Sequence, residues 1–318
     1  MNSYRISLPA LLALLFLTPA CCPQDVVRPD KAVAAATAPT AGAVAGFTPA
    51  ANATLAAFFQ RTAAHKGRKV AVFDGDGTVF GQTPHYLADE CLFAHAQAHP
   101  ARKPALIAEM KAQSNVSLPY VQNRIRYLAG LSLIEIRDLG MSCYRLDYKG
   151  KIYPPMRDLI GKLKAADFEV WVVTASPEAL YQGFLAEALA IPITRVIGVK
   201  SVVSGGVTTD RMVEPVPQDK GKLEAIETFV QARPLLVGGN SRGDKEMIEH
   251  SADLKLIVNP DEHVAPDQRE SVAAYAQKHG WLVVRIRDVP APGFPAVSSK
   301  VFGMRLNKTR DVPAAPAP

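Results

Sequence analysis

The sequence predicts an α/β fold in which a mostly parallel β-sheet carries helices on both faces. Short apolar runs rich in β-branched residues, such as KVAVF at 69–73 and FEVWVVT at 168–174, are typical of buried strands. Longer mixed segments separate these runs and suit helices. Strands that alternate with helices favour parallel pairing, and such sheets bind ligands at the carboxyl ends of their strands.

The first segments of the chain are not expected to contribute to this fold. Arg5 precedes an apolar run at 8–17 that is too short to span a bilayer, so residues 1–22 match a secretory signal peptide. Residues 23–52 are rich in Ala, Pro and Thr and are predicted to form a flexible tether. Residues 305–318 are predicted to form a similar tail.

The end of the signal resembles the lipobox of bacterial lipoproteins, with Ala20 followed by Cys21 and with Thr18 in place of the usual Leu. The resemblance implies that Cys21 carries lipid and holds the exported protein at a membrane, on its periplasmic side. Ordinary cleavage near Ala20, which releases a soluble periplasmic product, is the alternative.

The first half of the folded region contains one predicted strand, at 69–73, and several helices. A helix at 54–65 precedes this strand, and a helix at 155–166 leads into the second strand. The intervening region lacks clear strands, and three of its segments, with prolines near their ends, suit helices: 86–98, 103–113 and 119–130.

The second half continues the alternation after the strand at 168–174. Ser176 is predicted to cap a helix at 177–189 whose first residue is Pro177. Gly205 and Gly206 predict a hairpin turn. The remaining predicted elements are a strand at 194–199, a helix at 221–231, a strand at 234–238, a helix at 242–250, a strand at 254–258, a helix at 268–279 and a strand at 281–286.

The amino-acid composition excludes several classes of protein. With 48% hydrophobic and 21% charged residues, the 318-residue chain is neither disordered nor collagen-like. Its net charge of +6 comes without any Lys/Arg-rich run, so we do not expect nucleic acid to be a partner. The chain length allows one large domain or two smaller ones.

Two cysteines, Cys91 and Cys143, lie within the folded region and show no metal-binding spacing. Export to an oxidising compartment would allow them to form a disulfide. Two separate buried thiols are the alternative.

The run VAVFDGDGTVF holds the strongest candidate site. It places Asp74 and Asp76 on a tight turn directly after a buried strand, where two such close carboxylates call for a shared cation or proton. Gly75 and Gly77 give the turn its backbone freedom. A plain Asp-Gly turn is the alternative.

Three further candidates follow later strands or open a helix. Thr174 ends the most apolar strand, where a hydroxyl beside a helix N-terminus can hold a phosphate oxygen. Lys222 lies at a helix start, and Asn240 and Asp244 occupy the loop after another apolar strand. Taken alone, these residues also suit a strand end, a solvated lysine and a surface loop. Together, oxygen atoms from two such loops suit Mg²⁺.

These four motifs in this order resemble those of the haloacid dehalogenase superfamily, over about residues 69–286. The most similar branch contains phosphoserine and phosphorylcholine phosphatases. The resemblance implies a Rossmann-like core at 53–82 and 150–304, with a helical cap inserted at 83–149.

The resemblance also assigns catalytic and metal-binding roles. Asp74 would be the nucleophile that forms an aspartyl-phosphate, and Asp76 would be the general acid and base. The cofactor would be Mg²⁺, bound by Asp74, the backbone carbonyl of Asp76 and Asn240, with Asp244 as a ligand or as support for one. An acid at position 76 points to hydrolysis of a small phosphomonoester rather than to dehalogenation.

Phosphate binding is assigned in the same way. Thr174 and Ala175 would bind phosphoryl oxygens, and Lys222 would stabilise the charge on Asp74 and on the phosphoryl group. A phosphotransferase that passes the group to another alcohol would use the same residues, and the sequence leaves that alternative open.

One residue departs from the family pattern. The last motif usually begins Gly-Asp, whereas this chain has Gly239 and Asn240. A neutral amide oxygen should bind Mg²⁺ more weakly than a carboxylate does. The sequence therefore predicts an enzyme that needs more metal, with a non-catalytic phosphate-ligand-binding or envelope lipoprotein as the alternative.

The leaving group is less well defined by the sequence. Phosphoserine phosphatases carry an acid soon after the first motif, whereas here 81–84 is neutral and the first acids are Asp89 and Glu90. Aromatic residues of the cap could bind a quaternary ammonium group such as that of phosphorylcholine, or could simply pack between helices. They are Tyr86, Phe93, Tyr120, Tyr127, Tyr144 and Tyr148.

Overall fold

A computed structural model of the chain describes residues 43–83, 85–262, 264 and 268–288. The predicted signal peptide, Cys21 and the tail at 305–318 lie outside these residues. The predicted boundaries between core and cap stay predictions.

The predicted parallel sheet is confirmed. Its six strands run in the order β3-β2-β1-β6-β7-β8, and every neighbouring pair is parallel. Strands β4 and β5 form a separate antiparallel hairpin at the predicted Gly205-Gly206 turn. The strands are β1 Val70–Phe73, β2 Glu169–Pro177, β3 Val196–Val199, β4 Ser201–Ser204, β5 Val207–Met212, β6 Leu236–Gly239, β7 Leu254–Val258 and β8 Leu282–Val284.

Helices precede, follow and connect these strands. They are α1 Pro49–Ala63, α2 Leu87–Ala98, α3 Pro104–Ala112, α4 Leu118–Leu128, α5 Leu133–Cys143, α6 Pro154–Ala165, α7 Glu178–Leu189, α8 Lys220–Ala225, α9 Lys245–Glu249 and α10 Val272–Lys278. Among the residues that the structure describes, none of the helices has the length and apolar character needed to cross a membrane.

Both faces of the sheet are covered, as alternation along β1 shows. Val70 and Val72 belong to one buried apolar cluster, whereas Ala71 and Phe73 belong to another. Because successive side chains of a strand point to opposite faces, the sheet separates two cores. The order of strands reverses between β1 and β6, and the crevice at such a point is the expected ligand site.

The predicted tether, residues 23–52, ends too late in the sequence, because its last residues belong to the folded region. Val44 and Phe47 are buried in the main apolar cluster, and the Asn52 side chain accepts a hydrogen bond from the Val44 amide at 2.8 Å. Helix α1 begins at Pro49 after a Thr48 cap, so residues 44–52 are folded. The prediction was wrong here because two apolar side chains within an Ala/Pro/Thr-rich segment are enough to anchor it.

The four helices α2–α5 form the region between β1 and α6, and the fourth was not predicted. Helix α5 follows a capping box in which Ser132 and Glu135 each satisfy a backbone N–H of the other. A disulfide joins Cys91 on α2 to Cys143 at the end of α5. Of the two alternatives for these cysteines, the structure therefore has the disulfide.

The predicted cap at Ser176 is wrong. Strand β2 continues through Pro177, and α7 begins one residue later, at Glu178. The Ser176 hydroxyl instead donates to Asp76 Oδ2 at 3.3 Å, because the extended backbone directs it toward the β1 loop.

Candidate active site

Asp74 lies at the carboxyl end of β1, in the crevice at the centre of the sheet. Its amide donates to the carbonyl of Gly238 on β6 at 2.9 Å, which holds the loop against the neighbouring strand. The Thr78 hydroxyl donates to Asp74 Oδ2 at 3.1 Å. Gly77 has a φ of +81°, and a Cβ there would collide with the Asn240 side chain, so the turn requires glycine.

Lys222 connects Asp74 to the loop after β6. Its ammonium lies 2.6 Å from Asp74 Oδ1 and 2.6 Å from Asp244 Oδ1, and all three side chains are buried. Burial raises the pKa of Asp74 to about 7, against the lowering effect of Lys222. The lysine lies between two carboxylates that outweigh its own burial and raise its pKa, so it stays charged.

Asp244 fixes the loop that carries Asn240. Its Oδ2 accepts hydrogen bonds from the amides of Asn240 and Ser241 at 3.0 and 2.9 Å, and from the Ser241 hydroxyl at 3.0 Å. Burial opposes ionisation, but Lys222 and these donors outweigh it and lower the pKa of Asp244. These contacts fix the position of Lys222 and of the loop that carries Asn240. Whether Asp244 is itself a metal ligand or supports one stays a prediction.

Asp76 has a different environment, two residues after Asp74. Its Oδ1 accepts from the Tyr181 hydroxyl at 2.9 Å and its Oδ2 from the Ser176 hydroxyl at 3.3 Å. Burial raises the pKa of Asp76 to about 6, although Tyr181 and Arg124 favour the carboxylate. A carboxyl group with such a pKa can both donate and accept a proton near neutral pH.

Thr174 and Ala175 lie inside β2, so the prediction that Thr174 ends this strand was wrong. The Thr174 hydroxyl accepts a hydrogen bond from the Ser176 amide at 3.1 Å and lies beside Gly75 of the β1 loop. Both residues line the same cavity as Asp74.

A cavity of about 410 Å³ joins these loops. Asp244 is fully buried and does not line it, whereas the other predicted site residues do: Asp74, Asp76, Thr174, Ala175, Lys222 and Asn240. Of the six aromatic residues noted in the cap, Tyr86 alone lines the cavity. The described residues thus do not assemble an aromatic cage for a quaternary ammonium group.

The cavity is also lined by residues that were not predicted from the sequence. Arg124 on α4 lines it and forms a buried pair with Asp89, with Nη2 2.6 Å from Oδ1. The Tyr120 hydroxyl and Asn115 Nδ2 complete the Asp89 contacts at 2.9 and 3.1 Å. Arg124 lies 35 residues from Asp89, so no local pattern revealed the pair.

The donor set fits a divalent cation. Three carboxylates are buried here, those of Asp74, Asp76 and Asp244, and the Lys222 ammonium pairs with Asp74 and Asp244 only. Added positive charge would relieve the repulsion among the three carboxylates. The described residues contain no cluster of three His, Cys, Asp or Glu side chains suited to a metal. The predicted set does not need one, because it also uses a backbone carbonyl and the Asn240 amide oxygen.

Comparison with known proteins agrees with this geometry. The haloacid dehalogenase-like hydrolase family model matches residues 71–249. The phosphoserine phosphatase SerB1 of Mycobacterium tuberculosis is 25% identical over 275 residues, which cover 82% of each chain.

Two solved structures have the same fold. A protein of unknown function from Bordetella pertussis Tohama I has a TM-score of 0.53 at 17% identity, covering 69% of this chain and 99% of its own. A functionally unknown protein from Anaerococcus prevotii has a TM-score of 0.54 at 16% identity, covering 73% and 91%.

Proposed function

Because the chain belongs to the haloacid dehalogenase-like hydrolases, we propose that it hydrolyses a small phosphomonoester with Asp74 as nucleophile and Asp76 as general acid and base. The observation that carries the proposal is the contrast between the two carboxylates in one cavity. Asp74 is bound by the Lys222 ammonium, whereas Asp76 is bound by two neutral hydroxyls. Such a pair suits one group that attacks and one that transfers protons.

The reaction follows from these positions in two steps. An Asp74 oxygen attacks phosphorus, the bond from phosphorus to the ester oxygen breaks, and Asp76 gives its proton to the departing alkoxide. Asp76 then takes a proton from water, which attacks the phosphorus of the aspartyl-phosphate. Inorganic phosphate leaves, and the Asp74 carboxylate is regenerated.

Other residues stabilise the charge that moves during these steps. Lys222 is placed to balance charge on Asp74 and on the phosphoryl oxygens, and Thr174 and Ala175 border the space for those oxygens. Mg²⁺ would be held by Asp74, the Asp76 carbonyl and Asn240, and would supply positive charge to the phosphoryl group.

Assay of phosphate release from small phosphomonoesters, with and without Mg²⁺, tests the proposal. We expect turnover that requires the metal. A folded protein without turnover on any ester would contradict the proposal and favour the non-catalytic binding protein. Product analysis with an added acceptor alcohol separates hydrolysis from phosphoryl transfer.

Asn240→Asp is expected to lower the Mg²⁺ concentration needed for half-maximal activity by about tenfold, because a carboxylate binds this cation more tightly than an amide does. Mg²⁺ titration by calorimetry measures the same change without substrate. An unchanged metal affinity in both measurements would show that Asn240 does not bind the metal. Ser241→Ala, in the same loop, is the control for a general loss of loop order.

Two amide side chains among the residues that line the cavity suggest the chemistry of the leaving group. Asn115 Nδ2 donates to Asp89 and Gln218 Nε2 donates to the Val116 carbonyl, so acceptor partners fix both amide orientations. Asn115 and Gln218 line the cavity, and their side-chain oxygens, Oδ1 and Oε1, are shielded from solvent and have no donor among the described residues. We propose that the leaving alcohol carries N–H or O–H donors for these oxygens.

Phosphoethanolamine is therefore expected to be a better substrate than phosphorylcholine, by at least about tenfold in kcat/KM, because a quaternary ammonium has no N–H to donate. Phosphoserine belongs in the same comparison, since the M. tuberculosis relative bears its name. Gln218→Met keeps the side chain's length and should reduce the preference. Equal kcat/KM values for phosphoethanolamine and phosphorylcholine would contradict this proposal about the leaving group.

Export and anchoring at Cys21 are a separate part of the proposal and rest on the sequence alone. Mass spectrometry of the native N-terminus tests them. A lipidated Cys21 is expected, and a free N-terminus near Ala20 would replace the anchor with a soluble periplasmic product.

A further inference from the structure

The two chain connections between the core and the helices α2–α5 lie side by side. The Gly81 amide donates to the Lys151 carbonyl at 2.9 Å, and the Tyr153 amide donates to the Val79 carbonyl at 3.1 Å. A β-bridge joins Phe80 to Ile152 between these bonds. The outgoing and returning connections, 79–83 and 151–153, are therefore paired, and we call this pair the hinge.

Asp288, which follows β8 in the chain, holds this hinge from the core side. Its Oδ2 accepts from the amides of Gln82 and Thr83, each at 2.9 Å, and its Oδ1 lies 2.9 Å from Lys151 Nζ. Lys151 Nζ also donates to the Thr83 carbonyl. Asp288 and Lys151 are each only 2% exposed, so they form a buried pair with little competition from water.

Gly81 gives this pair the space it needs. A Cβ at that position would lie 1.8 Å from Asp288 Oδ1 and 2.6 Å from Lys151 Cε. Any side chain there must push the pair apart or shift the connection.

One residue of the hinge is part of the cavity lining. Gln82 lines the cavity, and its side chain packs beside Gly77 and the Asn240 side chain. Asp288 is outside the cavity wall but fixes the Gln82 backbone. A shift of the 81–83 segment would therefore move a wall residue that contacts the β1 turn.

We propose that Asp288 is a positioning residue of the catalytic centre, and that with Lys151 it forms a latch that sets the hinge between core and cap. The inference rests on the proposed phosphatase function. The latch holds the cap side of the cavity in register with Asp74 and Asp76, while the phosphate-binding loops of the core form without it.

Two independent changes disturb the latch. Asp288→Ala removes the acceptor of two amides and the partner of Lys151, and Gly81→Ala separates the pair by steric contact alone. Asp288→Asn keeps an oxygen for the two amides and should restore part of the function. Gly150→Ala is the matched control, because a Cβ at that position of the returning connection meets nothing within 4 Å.

Kinetics of p-nitrophenyl phosphate hydrolysis and hydrogen exchange in the full chain test the proposal together. Since misplacement by about 1 Å can cost about a hundredfold in rate, we expect Asp288→Ala and Gly81→Ala to lower kcat/KM by at least about tenfold. The inhibition constant of inorganic phosphate should stay within about twofold, because Asp288 and Gly81 contact Gln82, Thr83 and Lys151 rather than Thr174, Ala175 and Lys222, the residues assigned to phosphate binding. Gly150→Ala should behave like the wild type, and exchange at the Gln82 and Thr83 amides should accelerate in Asp288→Ala.

The outcomes separate the two proposals. A wild-type protein without hydrolysis contradicts the phosphatase function, while the exchange rates still report on the latch. An active wild type whose Asp288→Ala and Gly81→Ala variants keep kcat/KM within about twofold overturns the positioning role, even if their thermal stability falls. A parallel loss of phosphate binding would also overturn it, because the core loops would then depend on the latch.

Discussion

Asp74→Asn is expected to reduce phosphate release by at least about a thousandfold, the scale seen when a catalytic nucleophile is removed. The amide has nearly the same shape as the carboxylate but cannot attack phosphorus. Asp76 is not placed to replace it, because Tyr181 and Ser176 hold that carboxylate away from Lys222. Initial rates at saturating Mg²⁺ measure the effect.

The same variant should fold at least as well as the wild type. Lys222 keeps Asp244 as its partner, and one of three crowded buried carboxylates becomes neutral, so repulsion falls. An inactive protein with an unchanged or higher melting temperature is the expected pair of results. Asp253→Asn, which changes an acid outside the cavity wall, is the control and should leave the rate unchanged. Residual turnover within about tenfold of wild type would exclude Asp74 as the nucleophile.

Lys222→Met is expected to lower both activity and stability. Loss of a positioned charge in a buried site costs about a hundredfold to a thousandfold in rate. The change also leaves Asp74 and Asp244 buried without their shared partner, which should cost about 3–5 kcal/mol in the free energy of unfolding. Urea denaturation and initial rates measure the two effects separately.

Two further variants distinguish these losses. Lys220→Met, two residues earlier in the same helix, removes a lysine whose side chain is 74% exposed. This change should alter the free energy of unfolding by less than about 1 kcal/mol. Adding Asp244→Asn to Lys222→Met should recover part of the stability but none of the activity. Recovery of activity in that double variant would mean that Lys222 serves only to neutralise Asp244.

The strands were predictable because each is a short apolar run that ends at a polar loop. The strand at 254–258 was predicted at its observed bounds, and site loops follow β1 and β6, whereas Thr174 and Ala175 lie inside β2. The parallel order of the sheet followed from the alternation with helices. The first helix extends upstream of the prediction because its anchor residues, Val44 and Phe47, lie in a segment whose average composition is that of a tether.

The missed residues depend on contacts between distant parts of the chain. The motif around Asp74 shows its carboxylates locally, but the pairing of Arg124 with Asp89 arises only when α4 packs against α2. Lys222 was assigned by resemblance, since a lysine at a helix start is usually solvated. Its burial between Asp74 and Asp244 depends on two loops separated from it in the sequence.

The disulfide between Cys91 and Cys143 changes how the chain responds to a protease. The two cysteines are 52 positions apart, and α3 and α4 lie between them. A single cut in that interval, for example after the exposed Lys111, leaves both fragments covalently joined. The cleaved protein should therefore migrate as one band in a non-reducing gel and as two bands after treatment with a thiol.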